Sequence, residues 1–149
     1  MKFSSALALA GASLAAAAPT TTDPLAGQNF NVTNFVFGCT VGCDWYFDLA
    51  IEGSAANHPE TLPPVKCQGN LDDTTDYKEC GFVSETQHLY AYIVKATNEL
   101  KLQYEVFNYN TGATYRYYGN ETVYAATGDN ADLQEPNFKV PESSATGVA

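Results

Sequence analysis

An uninterrupted alternation of apolar and polar residues runs through the segment ELKLQYEV, residues 99–106. A period of two places its apolar residues on one side of a half-buried β-strand. These residues are Leu100, Leu102, Tyr104 and Val106. Similar runs rich in Val, Ile, Thr, Phe and Tyr recur along the chain, separated by Gly, Asn, Asp and Pro. The sequence therefore predicts an all-β fold, a small antiparallel β-barrel or sandwich.

Seven strands are predicted from these runs, with no competing window of helical periodicity. They cover residues 30–37, 44–51, 65–68, 77–83, 88–96, 99–109 and 113–125. Past Gly128 the apolar alternation is lost, which predicts a largely irregular C-terminal tail over residues 129–149. The β domain accordingly spans residues 29–128.

The N-terminal segment MKFSSALALAGASLAAAAP has the layout of a secretory signal peptide. Lys2 precedes an apolar stretch, and the small residues Ala15 and Ala17 follow that stretch. The stretch is shorter than the roughly 20 strongly apolar residues that span a bilayer. We predict a signal peptide over residues 1–17, a flexible leader over residues 18–28, and a secreted, extracellular protein without membrane insertion.

The charge balance is strongly acidic, with 17 Asp and Glu against 7 Lys and Arg and a formal net charge of −10 at pH 7. Such a surface repels nucleic-acid phosphates and anionic lipid head groups. The composition therefore argues against a nucleic-acid partner and against docking on acidic membranes.

Four cysteines in an exported chain of this size indicate disulfides, with three pairings possible. A Cys67–Cys80 bridge would close the polar excursion QGNLDDTTDYKE at its neck. Residues four apart in an extended strand are separated by about 13 Å, so Cys39 and Cys43 can pair only if the chain turns at Gly42. We favour these two bridges over crossed bridges between the two pairs, and crossed bridges remain an alternative.

Metal, redox and common catalytic motifs are not found in the sequence. His58 and His88 lack the paired spacing that would complete a zinc site with the cysteines, and no Cys-x-x-Cys pair is present. No G-x-S-x-G, H-E-x-x-H or glycine-rich phosphate loop occurs. We predict no metal, no cofactor and no catalytic residue.

Two acidic groups are the nearest approach to an active site. Asp44, Asp48 and Glu52 recur every four residues on one strand face, about 13 Å apart and beyond the separations of paired glycosidase carboxylates. We interpret them as a solvated edge, with a glycan hydrolase as the alternative. The loop over residues 72–76 carries three aspartates but lacks the glycine and glutamate of an EF-hand.

Two sequons predict N-glycosylation, at Asn31 in NVT and at Asn120 in NET. A glycosylated side chain on a strand must point outward. If Asn120 carries a glycan, the alternation of side chains along the strand then determines which neighbouring residues point outward and which point inward. The outward side would hold Arg116, Tyr118 and Thr122, and the inward side would hold Tyr117, Glu121 and Val123.

Aromatic residues are abundant, with 10 Tyr, 8 Phe and 1 Trp. In the segment LYAYIV both sides of the predicted strand are apolar or aromatic, which indicates core packing on both sides or a contact surface on one. A contact surface would suit a partner protein, a sugar or a small aromatic ligand. Arg116 and Tyr118 are the candidate binding residues.

Several stretches carry a resemblance to one known family. They are the signal ending AAAAP, the strand WYFDLAI, the segments KCQG and YKECGF, and the strand series from HLYAYIV to TVYA. They resemble the Alt a 1-like family of small, secreted, disulfide-linked β-barrel proteins of fungi, which includes allergens and plant-defence elicitors. Cys67 and the pair Cys80–Gly81 match the bridged hairpin of that family. The family's cysteine pair near the C-terminus has no counterpart after Cys80, and the pair Cys39 and Cys43 is additional.

The resemblance implies a secreted fungal effector or elicitor that triggers the hypersensitive response of a plant. Its expected partner is a host protein or a cell-surface component, and its expected mode of action is binding. A glycan hydrolase and a carrier of small phenolic or apolar ligands are the alternatives.

Overall fold

A computed structural model describes residues 28–53 and 56–148 of the 149-residue chain. The predicted signal peptide and the predicted leader, except for Gln28, lie outside the described residues. Gln28 itself is buried, and its carbonyl oxygen accepts a hydrogen bond from the Glu142 amide at 3.1 Å. Gln28 therefore belongs to the folded domain.

Eight antiparallel strands form one sheet that curls into a nearly closed barrel, which confirms the predicted fold class. The order across the sheet is β3-β2-β1-β8-β7-β6-β5-β4. The strands are β1 (Asn29–Cys39), β2 (Cys43–Glu52), β3 (Thr61–Asn70), β4 (Lys78–Glu79), β5 (Gln87–Val94), β6 (Glu99–Asn108), β7 (Ala113–Thr122) and β8 (Phe138–Val148).

The helical content of the described residues is a single 3₁₀ turn, Ala131–Leu133, between β7 and β8. Within the described part of the chain, no helix has the length and hydrophobicity needed to cross a bilayer.

Strand β8 corrects the predicted irregular tail over residues 129–149. It pairs with β1 near its start and with β7 along the rest of its length, so strands flank it on both sides. Of its inward side chains, Val140 and Glu142 are buried, whereas residues 143–147 are exposed. Backbone pairing rather than side-chain burial holds the second half of this strand, and for that reason its sequence lacks apolar alternation there.

The two edges of the sheet meet at a seam between β3 and β4. The Cys67–Cys80 disulfide joins them covalently, and the Gly81 amide donates a hydrogen bond to the Lys66 carbonyl at 2.8 Å. The Cys80 amide donates to the Leu89 carbonyl at 2.7 Å. The predicted bridge is confirmed, whereas the strand predicted over residues 77–83 is reduced to the short β4.

The second disulfide, Cys39–Cys43, closes the hairpin between β1 and β2. The two cysteines are paired in the β1–β2 register, and Gly42 between them has a φ of 81°. A positive φ is unfavourable for other residues, so glycine permits the turn that brings the sulfurs together. The crossed pairings are therefore wrong.

Large side chains fill the barrel interior. The alternation in β6 is confirmed, since Leu100, Leu102 and Tyr104 have 0% exposure and Val106 has 5%. Full burial of such side chains stabilises the fold by about 1.5–3 kcal/mol each. A ligand carried inside the barrel would have to displace them. The other large buried residues are Trp45, Phe30, Phe37, Phe47, Leu49, Ile51, Leu89 and Ile93.

Candidate functional site

Four tyrosines gather on the outward side of the sheet formed by β5, β6 and β7. We call this cluster the tyrosine face; it consists of Tyr77, Tyr90, Tyr92 and Tyr118. The ring centroid of Tyr77 lies 5.0 Å from that of Tyr92, edge to face, and 6.2 Å from that of Tyr118. All four side chains are half-buried. The predicted binding residue Tyr118 therefore belongs to an aromatic surface built from three segments of the chain.

Polar residues of β6 separate the tyrosines of the flanking strands. Gln103 is paired with Tyr90 on one side and with Tyr118 on the other. The second predicted binding residue, Arg116, lies on the same outward side, but its Nε donates to Glu105 Oε2 at 2.8 Å. The charge of the guanidinium is thus balanced by Glu105. The tyrosine face therefore presents mainly aromatic rings and hydroxyl groups to a partner.

Burial raises the pKa of two members of the tyrosine face. It raises the pKa of Tyr77 to about 12, with Tyr92 and Tyr118 as the next causes. Burial also raises the pKa of Tyr90, with smaller contributions from Glu105 and other charges. These hydroxyls remain protonated far above neutral pH, so each can donate a hydrogen bond to a partner.

Asn120 lies on the same side of β7 as Tyr118 and is exposed. Its predicted outward orientation is confirmed, because Tyr117 and Val123 on the opposite side are buried. Asn120 is paired with Lys101, whose ammonium forms an ion pair with Glu99. A glycan on Asn120 would therefore stand beside the tyrosine face.

The other sequon residue, Asn31, lies in β1 and is half-buried between Ala50 of β2 and Lys139 of β8. Glycosylation at both sequons stays a prediction.

The carboxylates that motivated the hydrolase alternative lie along the outward side of β2. Asp48 Oδ2 accepts a hydrogen bond from Asn34 Nδ2 at 2.9 Å, and Glu52 Oε2 is 2.8 Å from Lys139 Nζ. Asp44 is exposed at the start of the strand. The strand spaces the three groups along its length, so it does not bring two of them together.

The acidic loop after β3 is held by its own contacts. Asn70 Nδ2 donates to Asp73 Oδ2 at 3.0 Å, and Lys95 Nζ pairs with Asp72 Oδ1 at 2.5 Å.

The second histidine, His88, is paired with a carboxylate, since its Nδ1 is 2.7 Å from Glu79 Oε1. Across residues 28–53 and 56–148, no group of three or more His, Cys, Asp or Glu side chains is placed to hold a metal ion.

Sequence reasoning missed a buried pair between His58 and Glu142. His58 Nε2 lies 2.5 Å from Glu142 Oε1, and the side chains are 1% and 0% exposed. The ring of His58 also packs edge-on against Tyr104 and Tyr117, with centroid distances of 5.3 and 4.3 Å. The two partners are 84 residues apart in sequence, so no local pattern indicates the contact.

The same tyrosines fix the loop that carries His58. Tyr104 Oη donates to the Pro59 carbonyl at 2.6 Å, and Tyr117 Oη donates to the Asn57 carbonyl at 2.8 Å. Residues 57–59 are thereby held against β6 and β7. Since the pair is inaccessible to solvent, we assign it a structural role.

Alkaline pH is expected to destabilise the fold through these two tyrosines. Burial raises the pKa of Tyr104 and of Tyr117 from the ordinary value of 10.0 to about 12. A folded-state pKa above the unfolded value gives stability that is complete below pH 10 and is lost as the pH rises toward 12. Urea unfolding at successive pH values should show this decline.

The Tyr104→Phe and Tyr117→Phe variants supply the control, because phenylalanine does not ionise. Each should lose less stability than the parent protein over the same pH interval. Ionisation of every tyrosine near pH 10 in a protein that remains folded would contradict this expectation.

No protein-family model, no curated protein and no solved structure matches this chain. The similarity to the Alt a 1-like family thus stays a prediction from the sequence.

Proposed function

We propose that the protein is a secreted fungal effector that binds a component of a plant host through the tyrosine face and is perceived as a trigger of the hypersensitive response. The observation that carries this proposal is the outward cluster of half-buried tyrosines. Tyrosine is enriched at protein interfaces because it combines a large apolar ring with a hydrogen-bonding tip.

Three further features support a binding role in an extracellular setting. Two disulfides suit an oxidising compartment. The N-terminal segment has the pattern of a secretory signal. The Arg116–Glu105 pair neutralises charge beside Tyr118, so the partner meets a surface dominated by rings and hydroxyls. A host protein or a cell-surface component with apolar patches and hydrogen-bond acceptors fits such a surface.

Leaf infiltration with the purified protein tests the proposal, scored by oxidative burst and cell death. The native protein should elicit both responses. Replacing Tyr92 and Tyr118 together by alanine should raise the dose required by at least about 30-fold, because the loss of even one central interface tyrosine costs about 2 kcal/mol. Tyr46→Ala is the matched control, since Tyr46 lies on β2 and is 44% exposed.

Silence of the native protein across several hosts would overturn the proposal. Equal activity of the double variant and the Tyr46→Ala control would refute the tyrosine face as the recognition surface. A reduced and alkylated sample distinguishes two kinds of recognition. Loss of activity would indicate recognition of the folded protein, whereas unchanged activity would indicate recognition of a linear peptide, which does not require the disulfides. Release of sugars from cell-wall polymers, abolished by substituting Asp44, Asp48 or Glu52, would favour the hydrolase alternative instead.

A further inference from the structure

A cleft of about 380 Å³ opens where β7 and β8 separate. The two strands pair as far as Gly119 and Glu142, and from Pro141 back to Phe138 strand β8 pairs with β1. The end of β7 is thus left without β8 beside it. The cleft lies between this end and the start of β8, and its volume is within the range of small-molecule sites.

The cleft has an apolar floor. Phe35 and Val123 are 2% and 4% exposed, and Phe138 packs edge-on against Phe35 with ring centroids 5.4 Å apart. Leu133, on the 3₁₀ turn, is 50% exposed and forms part of one wall. A flat ring or a short alkyl chain would find apolar contacts here.

Hydrogen bonds hold the walls of the cleft in place. Gln134 Nε2 donates to the carbonyl oxygens of Phe37 and Tyr124, at 2.7 and 2.6 Å. The Phe35 amide donates to the Pro136 carbonyl at 2.9 Å. These bonds tie the segment between β7 and β8 to β1, so the cleft is preformed.

Two carboxylates line the cleft without an ion-pair partner among the described residues. Glu121 follows the buried Gly119 by two residues, so both lie on the core-facing side of β7. Because β8 does not pair with β7 beyond Gly119, Glu121 faces the cleft. Glu135 contributes the second carboxylate. Lys139 also lines the cleft, but its Nζ is 2.8 Å from Glu52 Oε2, so its charge is already compensated.

We propose that the cleft between β7 and β8 binds a small protonated arylalkylamine. Its ring lies on the apolar floor, and its ammonium group interacts with Glu121 and Glu135. These carboxylates would repel an anion and would add no charge attraction for a neutral phenol, whereas a cation complements them. The net charge of −10 further attracts cations to the protein. This inference is independent of the tyrosine face and of the proposed effector role.

Titration with three matched probes tests the inference, followed by calorimetry and by amide chemical shifts. The probes are tyramine, the neutral para-ethylphenol and the anionic para-hydroxyphenylpropionate. Tyramine should bind with a Kd on the order of 1 mM, as expected for a ligand of this size. The phenol should bind at least about tenfold more weakly, because it lacks the charge-assisted contact. The anion should not bind.

Two charge-neutralising variants separate a local contact from general electrostatic attraction. Glu121→Gln should weaken tyramine binding about threefold, as expected for a solvent-exposed ion pair, and its exposed position makes the substitution compatible with folding. Asp44→Asn changes the net charge equally at an exposed position on β2 and should leave the Kd unchanged. Equal affinities for tyramine and the phenol, equal effects of the two substitutions, or no tyramine binding at all would each overturn the inference.

Discussion

The His58→Leu variant should be less stable than the parent protein by about 3–5 kcal/mol, because it leaves the fully buried Glu142 carboxylate without its partner. The lost contact includes the 2.5 Å bond to Glu142 and the packing of the imidazole ring on Tyr104 and Tyr117. Urea unfolding followed by the fluorescence of Trp45, the single and fully buried tryptophan, measures the change.

The double variant His58→Leu with Glu142→Leu is the control. Replacing both members of a buried polar pair by apolar residues of similar size is often neutral or stabilising, so the double variant should regain most of the lost stability. Both single variants and the double variant together form a cycle that isolates the coupling between the two residues. A coupling free energy below about 0.5 kcal/mol would contradict the pair as the cause.

Removal of the seam disulfide by Cys67→Ala with Cys80→Ala should lower the free energy of unfolding by about 3 kcal/mol. The bridge spans a sequence separation of 13 residues, and the expected value follows from the restricted conformational entropy of the unfolded chain. The same relation predicts a smaller loss, about 2 kcal/mol, for the bridge between Cys39 and Cys43, which are four residues apart.

The variant Cys39→Ala with Cys43→Ala is therefore the matched control for the seam. A larger loss from the hairpin bridge than from the seam bridge would show that loop length does not determine the effect. Denaturant unfolding of both variants and the parent protein, under identical oxidising conditions, gives the comparison.

Local pattern predicted those features that depend on neighbouring residues. The period of two identified the inward residues of β6 and the outward side of β7, on which Arg116, Tyr118 and Asn120 lie. The disulfides could also be predicted from the sequence, because each bridge closes a short loop. Tyr77 could not be assigned to the tyrosine face, since a loop and not a strand register sets its position.

Features that depend on distant contacts escaped prediction. Strand β8 pairs at its start with β1, which is far away in sequence, and its exposed second half, which pairs with β7, carries no apolar signal. The cleft forms because the start of β8 pairs with β1 and not with the end of β7. Glu121 is therefore exposed although it lies on the inward side of β7, and the sequence around Glu121 does not indicate this exposure. The His58–Glu142 pair likewise depends on where β8 lies.

The central position of β8 also has a consequence for folding. Without β8, the strands β1–β3 and β4–β7 would form two meanders, and β1 and β7 would each expose an unpaired edge. Pairing of Asn29 with Pro141 gives the barrel a high contact order, which predicts slow folding. An unpaired strand edge is a template for intermolecular pairing. We therefore expect β8, which covers one edge of β1 and one edge of β7, to protect the chain from aggregation.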